Sequence, residues 1–301
     1  MQPAPPRDAA SSPAIWPLGV AYVVAFVLAL GASAAYIVLA VLPRARGDAA
    51  AVARDAARFA LTAPGILGSA VIDAAALALV TGVAASILRT ARDVPRIRAI
   101  REDLRLGPTG ARWPGLAAAM VGLVGVSLAC GAIADLAGVG DTGVMAQIAR
   151  VLADSSPLRI ALALLTIAVA PAIAEECFFR GLVQTRVGRR WGRWPAIVAS
   201  AFAFGLFHVD PVQGSLAFVA GIYLGWVVER FGGIRPGIAA HAVNNAVFVL
   251  LASFSATGEH PTRRESIVVA AAGAAVVVGA IAVLRKARWV EAPLRASTLA
   301  S

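Results

Sequence analysis

Residues 174–181 read AEECFFRG, and two adjacent carboxylates, Glu175 and Glu176, stand there at the end of an apolar run from Leu158 to Ile173. That reading decides the fold. With its helix continuing past Arg180 towards Val187, the run is long enough to cross a bilayer. An ionisable group at membrane depth is costly, so it is either functional or paired. Arg180 follows Glu176 by four residues, one helical turn on and on the same face, the spacing of an i,i+4 ion pair. Glu175 is rotated from Glu176 by about 100° on a helix. One carboxylate is therefore held by Arg180 while the other points elsewhere.

Composition agrees with a membrane setting. The 301-residue chain is 59% hydrophobic and only 15% charged, with a mean hydropathy of +0.78. Soluble domains of this length rarely reach that apolar content. The expected fold is all-α, a polytopic membrane protein of about eight transmembrane helices enclosing an intramembrane polar site. Net charge is +10. Basic loops facing an anionic lipid leaflet account for it, so the lipid bilayer and not nucleic acid is the expected partner. Cys130 and Cys177 are the only cysteines and form no CxxC pair. They read as small buried hydrophobes and not as a disulfide or thiolate metal site.

The spans expected along the chain are 16–42, 61–88, 114–139, 158–187, 195–209, 212–228, 236–254 and 266–284. The first apolar run exceeds a signal-peptide core and is kept as a span. Residues 44–59 read as an amphipathic surface helix. Residues 89–113 read as a basic loop, residues 141–156 as a polar connection, and the arginines and tryptophans of 186–194 as an interfacial anchor. Asp210-Pro211 breaks the chain after the fifth span, since proline disfavours helix in the residue before it. Gly214, Gly221 and Gly225 are available for close helix contact. Asp73 and Asp135 lie inside or near the end of spans without an evident partner. Three regions result: N-terminal helices with the basic loop (1–157), a polar core (158–254), and a last helix with a basic tail (255–301). With eight spans, 18 lysines and arginines fall on one side and 8 on the other. Both termini are thus expected in the cytoplasm.

Two further polar positions interrupt later apolar segments: His208 in AFAFGLFHVD, and His241 in HAVNN. Glu175 and His208 each lie thirteen residues from the loop joining their helices, about 20 Å in both cases, so neighbouring antiparallel helices bring them to one depth. His241 follows Pro236 by only five residues, about 8 Å, which requires its turn to be sunk into the bundle. Phe204 shares a face with His208, and Asn245 shares one with His241.

Peptide hydrolysis within a membrane needs an activated water, a group that polarises the carbonyl, and a proton carrier. Glu175, withdrawn from bulk water, suits the general base, and His208 can hold the same water. His241 and Asn245 can donate to the oxyanion, each such donor being worth ~2.7–4 kcal/mol. Glu176 and Arg180 would support the site as a structural pair. The same side chains allow a second arrangement, with Glu175, His208 and His241 as ligands of a zinc ion and water in the fourth position. The cofactor is then either absent or a divalent metal such as zinc. Two non-hydrolytic readings use the same residues: a non-catalytic immunity or interaction protein, and a histidine-based cofactor-binding or transport protein.

At these positions the chain resembles the CPBP family of intramembrane proteases, the CAAX-processing, Abi and bacteriocin-processing group. The family's EExxxR, FxxxH and HxxxN patterns stand here as Glu175–Arg180, Phe204–His208 and His241–Asn245, in order on successive apolar segments between about Leu158 and Phe254. The resemblance implies that Glu175 and His208 activate water, that His241 and Asn245 form the oxyanion site, and that Glu176 and Arg180 support them. It implies a membrane protein or peptide as substrate and leaves glutamate-type and metal-dependent chemistry both open. The alanine- and arginine-rich composition fits a prokaryotic inner-membrane protein and argues against prenyl processing.

Overall fold

The computed structural model describes residues 14–43, 48–89, 94–153, 155–254 and 261–286, and these are helical with no strand among them. The helices are α1 (Trp16–Val41), α2 (Ala49–Ala60), α3 (Ala63–Ile87), α4 (Arg96–Asp103), α5 (Trp113–Leu136) and α6 (Gly143–Leu152). They continue as α7 (Pro157–Trp191), α8 (Arg193–Phe207), α9 (Pro211–Phe231), α10 (Arg235–Phe254) and α11 (Arg263–Lys286). Their starts follow from local chemistry. Asp48, Thr62, Ser156 and Asp210 each accept a backbone N–H in the first turn of the helix they precede. Pro157 and Pro211 sit where no intrahelical donor is needed. Gly232 ends α9 in the left-handed conformation at φ 73°.

Among the described residues, seven helices are long and apolar enough to cross a membrane: α1, α3, α5, α7, α9, α10 and α11. The expected fifth span, 195–209, is instead the 15-residue α8. At 1.5 Å per residue it covers about 22 Å, short of the ~30 Å hydrocarbon thickness. Helix α7 is correspondingly longer than expected, at 35 residues.

Segments read as loops are better ordered than their polarity suggests. Within 89–113 the helix α4 buries Ala99 and Asp103. The connection at 141–156 contains α6, whose Ile148 and Leu152 pack with Val249 and Ala252 of α10. The 44–59 surface helix appears as α2, while Arg44 and Arg46 lie outside the described residues. The arginines of 186–194 are not all lipid-facing anchors. Arg186 is buried and donates to the Leu88 carbonyl at 2.7 Å, and Arg189 pairs with Asp103 at 3.0 Å. Asp103 thus ties the basic segment to the end of α7.

The core lies between α1, α3, α7 and α8, where Leu77, Phe178, Phe179, Leu182 and Phe204 are buried together. A second cluster joins α5 and α9 through Leu123, Leu224, Val227 and Phe231. Small residues set the helix spacing. A Cβ on Gly205 would lie 2.7 Å from the carbonyl oxygen of Gly214, and a Cβ on Gly214 equally close to that of Gly205. Helices α8 and α9 therefore meet backbone to backbone, as the glycines of α9 led one to expect.

Candidate active site

The site begins in irregular windings of α7. Pro171 has no N–H, so the carbonyl of Ile167, four residues earlier, loses its α-helical donor. Around it, Leu164–Val169 is wound as a π-helix, and the Nδ2 of Asn245 donates to Ile167 O at 3.3 Å. A second π-helical stretch runs over Glu176–Gln184. The hydroxyls of Ser200 and Thr185 bond its carbonyls at Phe179 and Arg180, at 2.7 and 3.1 Å. Such windings are frequent at functional sites.

Along this stretch, Arg180 and Gln184 meet α9 in register. Arg180 Nη2 donates to Gly221 O at 3.3 Å, and Gln184 Nε2 donates to Gly225 O at 3.0 Å and to Glu229 at 2.9 Å. Both pairs are spaced by four residues. A Cβ at Gly221 would crowd Ala201 at 3.0 Å and Arg180 Nη2 at 3.2 Å; one at Gly225 would lie 2.7 Å from Gln184 Oε1.

Glu176 is fully buried, and its Oε1 accepts from Arg180 Nη1 at 2.9 Å and faces His241 Nδ1 at 3.1 Å. The i,i+4 pair is therefore present, and Glu176 has a second role that the sequence did not show: it orients His241. A carboxylate accepts, so Nδ1 carries the proton and Nε2 is turned to Glu175, whose Oε2 lies 3.6 Å away. The other oxygen of Glu176 fits against Gly237, where a Cβ would come within 3.0 Å of it and 2.8 Å of Val228 Cγ2.

His241 reaches this depth because the turn before α10 is covered. Ile234 is fully buried, and its N–H donates to Arg105 O at 3.1 Å. Arg105 also donates to Glu229 at 2.6 Å and to Val228 O at 3.3 Å. It adopts φ 55°, a conformation uncommon outside glycine. The basic segment thus folds over the 232–234 turn and sinks it, which accounts for the short distance from Pro236 to His241.

His208 caps the C-terminus of α8, with its Nδ1 2.9 Å from Phe204 O. A carbonyl only accepts, so Nδ1 holds the proton and Nε2 is the free nitrogen. The next residue, Val209, is β-branched and stands at φ 61°. Strain of that kind clusters at functional sites. Phe204 packs edge-on with both imidazoles, at centroid distances of 4.8 Å to His208 and 5.8 Å to His241, and Arg180 lies over its face at 4.5 Å.

Glu175, His208, His241 and Asn245 all line one cavity of about 800 Å³, together with Phe204. Asn245 is turned toward α7 by its bond to Ile167 and also accepts from Asn244 Nδ2 at 3.4 Å. Asp73 had no evident partner in the sequence. It lines the same cavity and accepts from Ser33 Oγ at 2.7 Å, a bond between α1 and α3 that no local pattern announces. As metal ligands, Glu175, His208 and His241 do not fit in this arrangement: among the described residues no three His, Cys, Asp or Glu side chains converge closely enough to hold an ion.

Residues 157–247 match the family model described as type II CAAX prenyl endopeptidase Rce1-like. No curated protein and no solved structure matches the chain. The matched segment opens at the first residue of α7 and takes in Glu175, Arg180, His208, His241 and Asn245. It covers the two π-helical windings, α8, α9 and most of α10, the elements that build the cavity's polar wall. The 157–247 segment is accordingly similar to the Rce1-like group of the CPBP family of membrane proteases.

Proposed function

We propose that the chain is an intramembrane endopeptidase that hydrolyses a peptide bond of a membrane-associated protein or peptide. The observation that carries this reading is the convergence of Glu175, His208, His241 and Asn245 on one cavity with largely apolar walls. A cavity of that kind with a few convergent polar groups suits a bound peptide.

Glu175 takes a proton from a water as the water oxygen bonds to the peptide carbonyl carbon and the carbonyl π electrons move onto oxygen. His208, its Nδ1–H spent on Phe204, accepts the other water proton in a hydrogen bond at Nε2 and holds the nucleophile. Asn245 donates its amide N–H to the oxyanion, and His241 donates from Nε2 when its ring carries both protons. The proton on Glu175 then passes to the amide nitrogen. The C–N bond breaks with its electron pair on nitrogen, and a carboxylic acid and an amine leave. Glu176 and Arg180 act one layer back, by fixing the ring of His241.

The protein acts in a prokaryotic inner membrane; with the short α8 counted as an eighth pass, the lysine and arginine count favours both termini in the cytoplasm. Comparative membrane proteomics of wild-type cells and cells carrying Glu175→Gln tests the reading. A precursor that accumulates uncleaved only in the mutant, with the mutant protein inserted at normal levels, is the expected result. Identical proteomes contradict the reading.

A further inference from the structure

We propose that Asp210 is a positioning residue for His208: its carboxylate bridges the first turns of α6 and α9 and so holds the strained turn at the base of the imidazole. This rests on the hydrolase reading above. Oδ1 of Asp210 accepts from the N–H of Gln213 in α9 at 2.8 Å, and Oδ2 accepts from the N–H of Val144 in α6 at 3.3 Å, across 66 residues of chain. Both are bonds of the N-cap kind. For α9, Asp210 is the cap by position. For α6 that position belongs to Thr142, which makes no side-chain bond to the first turn; its hydroxyl donates to Val139 O at 2.7 Å instead. Asp210 supplies the missing cap from outside.

Gly143 is fitted to this contact. It stands at φ 77°, and a Cβ there would collide with the Asp210 carboxylate. Beyond its first turn, α6 packs Ile148 and Leu152 against Val249 and Ala252 of α10, and its Met145 and Ala149 line the cavity. Through Val144, Asp210 is therefore tied to a packed wall of the site.

The turn before Asp210 needs such a tie. The Asp210 N–H donates to His208 O at 2.6 Å across Val209, which stands at φ 61°. An i to i+2 bond across a positive φ is the pattern of the rare, strained γ-turn. A β-branched residue is poorly suited to it. Without a restraint, Val209 returns to negative φ and the end of α8 swings. The bond of His208 Nδ1 to Phe204 O lies within α8 itself and does not fix where that end points. The clamp on α6 and α9 does, and Nε2 is thereby held at the cavity that Glu175 also lines. A displacement of about 1 Å at such a position costs up to about 100-fold in rate.

The test uses the purified full-length protein in lipid nanodiscs and a quenched fluorescent peptide spanning the cleavage junction of the precursor that accumulates in Glu175→Gln cells. Asp210→Asn keeps an oxygen for the Gln213 N–H, since asparagine caps as well as aspartate, but its amide nitrogen cannot accept from Val144. It is expected to lower kcat about tenfold with KM within about twofold. Two second changes separate positioning from support. Thr142→Asp gives α6 a cap of its own, so the Thr142→Asp/Asp210→Asn protein should melt like wild type and keep the low kcat. Val209→Gly removes the steric cost of positive φ, so Val209→Gly/Asp210→Asn should recover kcat to within about threefold of wild type. Where Asp210→Asn alone does not fold, Thr142→Asp/Asp210→Asn serves as the parent to which Val209→Gly is added. Full kcat in Asp210→Asn, no gain from Val209→Gly, or full recovery of kcat by Thr142→Asp overturns the inference and leaves the hydrolase reading standing. Equal cleavage by wild type and Glu175→Gln, or no precursor to supply the peptide, contradicts the hydrolase reading and takes the inference with it.

Discussion

Glu176 shows how much one buried carboxylate can organise. It is fully shielded from water, and Arg180 and His241 converge on a single oxygen. Removing one partner from a buried pair strands the other, at a cost of about 3–5 kcal/mol. Arg180→Leu should therefore lower stability by about that amount, read as earlier loss of folded protein on heating in detergent. An unchanged melting curve contradicts the pairing. Glu176→Gln keeps the shape but weakens the hold on His241, so catalysis should suffer more than folding. The metal question also belongs at this scale. Because the donors do not close into a ligand set among the described residues, exhaustive chelation is expected to leave the cleavage rate within about twofold. Loss of activity restored by zinc would reassign Glu175, His208 and His241 as ligands. At the level of residues the sequence was informative where chemistry repeats on a helix face, as with Glu176 and Arg180. It was silent on Ser33 and Asp73, whose contact joins positions 40 residues apart.

The elements are spaced by what glycine permits. Gln184 and Arg180 reach the carbonyls of Gly225 and Gly221 because neither position carries a Cβ. Gly221→Ala would place a methyl 3.0 Å from Ala201 Cβ and 3.1 Å from its Cα. Overpacking of that kind costs about 1–3 kcal/mol. It should also move the Arg180–Glu176–His241 array, so activity is expected to fall with stability, while Gly131→Ala, where a Cβ meets nothing within 4 Å, should change neither. Matching losses at both glycines would count against the close contact. Helix type was readable from apolar length alone, since each of the seven long spans holds a long and predominantly apolar stretch. Helix α8 was not. Its apolar pattern continues to Val209, and the helix stops at Phe207 because a strained turn and Asp210-Pro211 end it first. Nor was the order in 94–112 legible, because its polarity hides contacts that exist only once Arg186, Arg189 and Glu229 are brought beside it.

At the scale of the molecule, a cavity with polar side chains on its wall sits within a basic membrane protein. With α8 counted as a short eighth pass and lysines and arginines divided 18 to 8, a reporter that fluoresces only in the cytoplasm should be bright when fused after Ser301, and a phosphatase that works only in the periplasm should be inactive there. The opposite pair of results would invert the topology. The sites that matter came from distant stretches whose meeting could be argued only by depth. The match for Glu175 and His208 followed from the short loop between their helices. For His241 the depth argument lacked the cover that Arg105 and its neighbours place over the 232–234 turn. All these features serve one claim, that a carboxylate at position 175 activates water in that cavity. The most direct measurement is the cleavage rate of one reporter peptide by purified wild-type and Glu175→Gln protein of equal thermal stability. The account predicts a fall of at least about 100-fold, within the range of general-base catalysis. A Glu175→Gln protein that cleaves at the wild-type rate would contradict it.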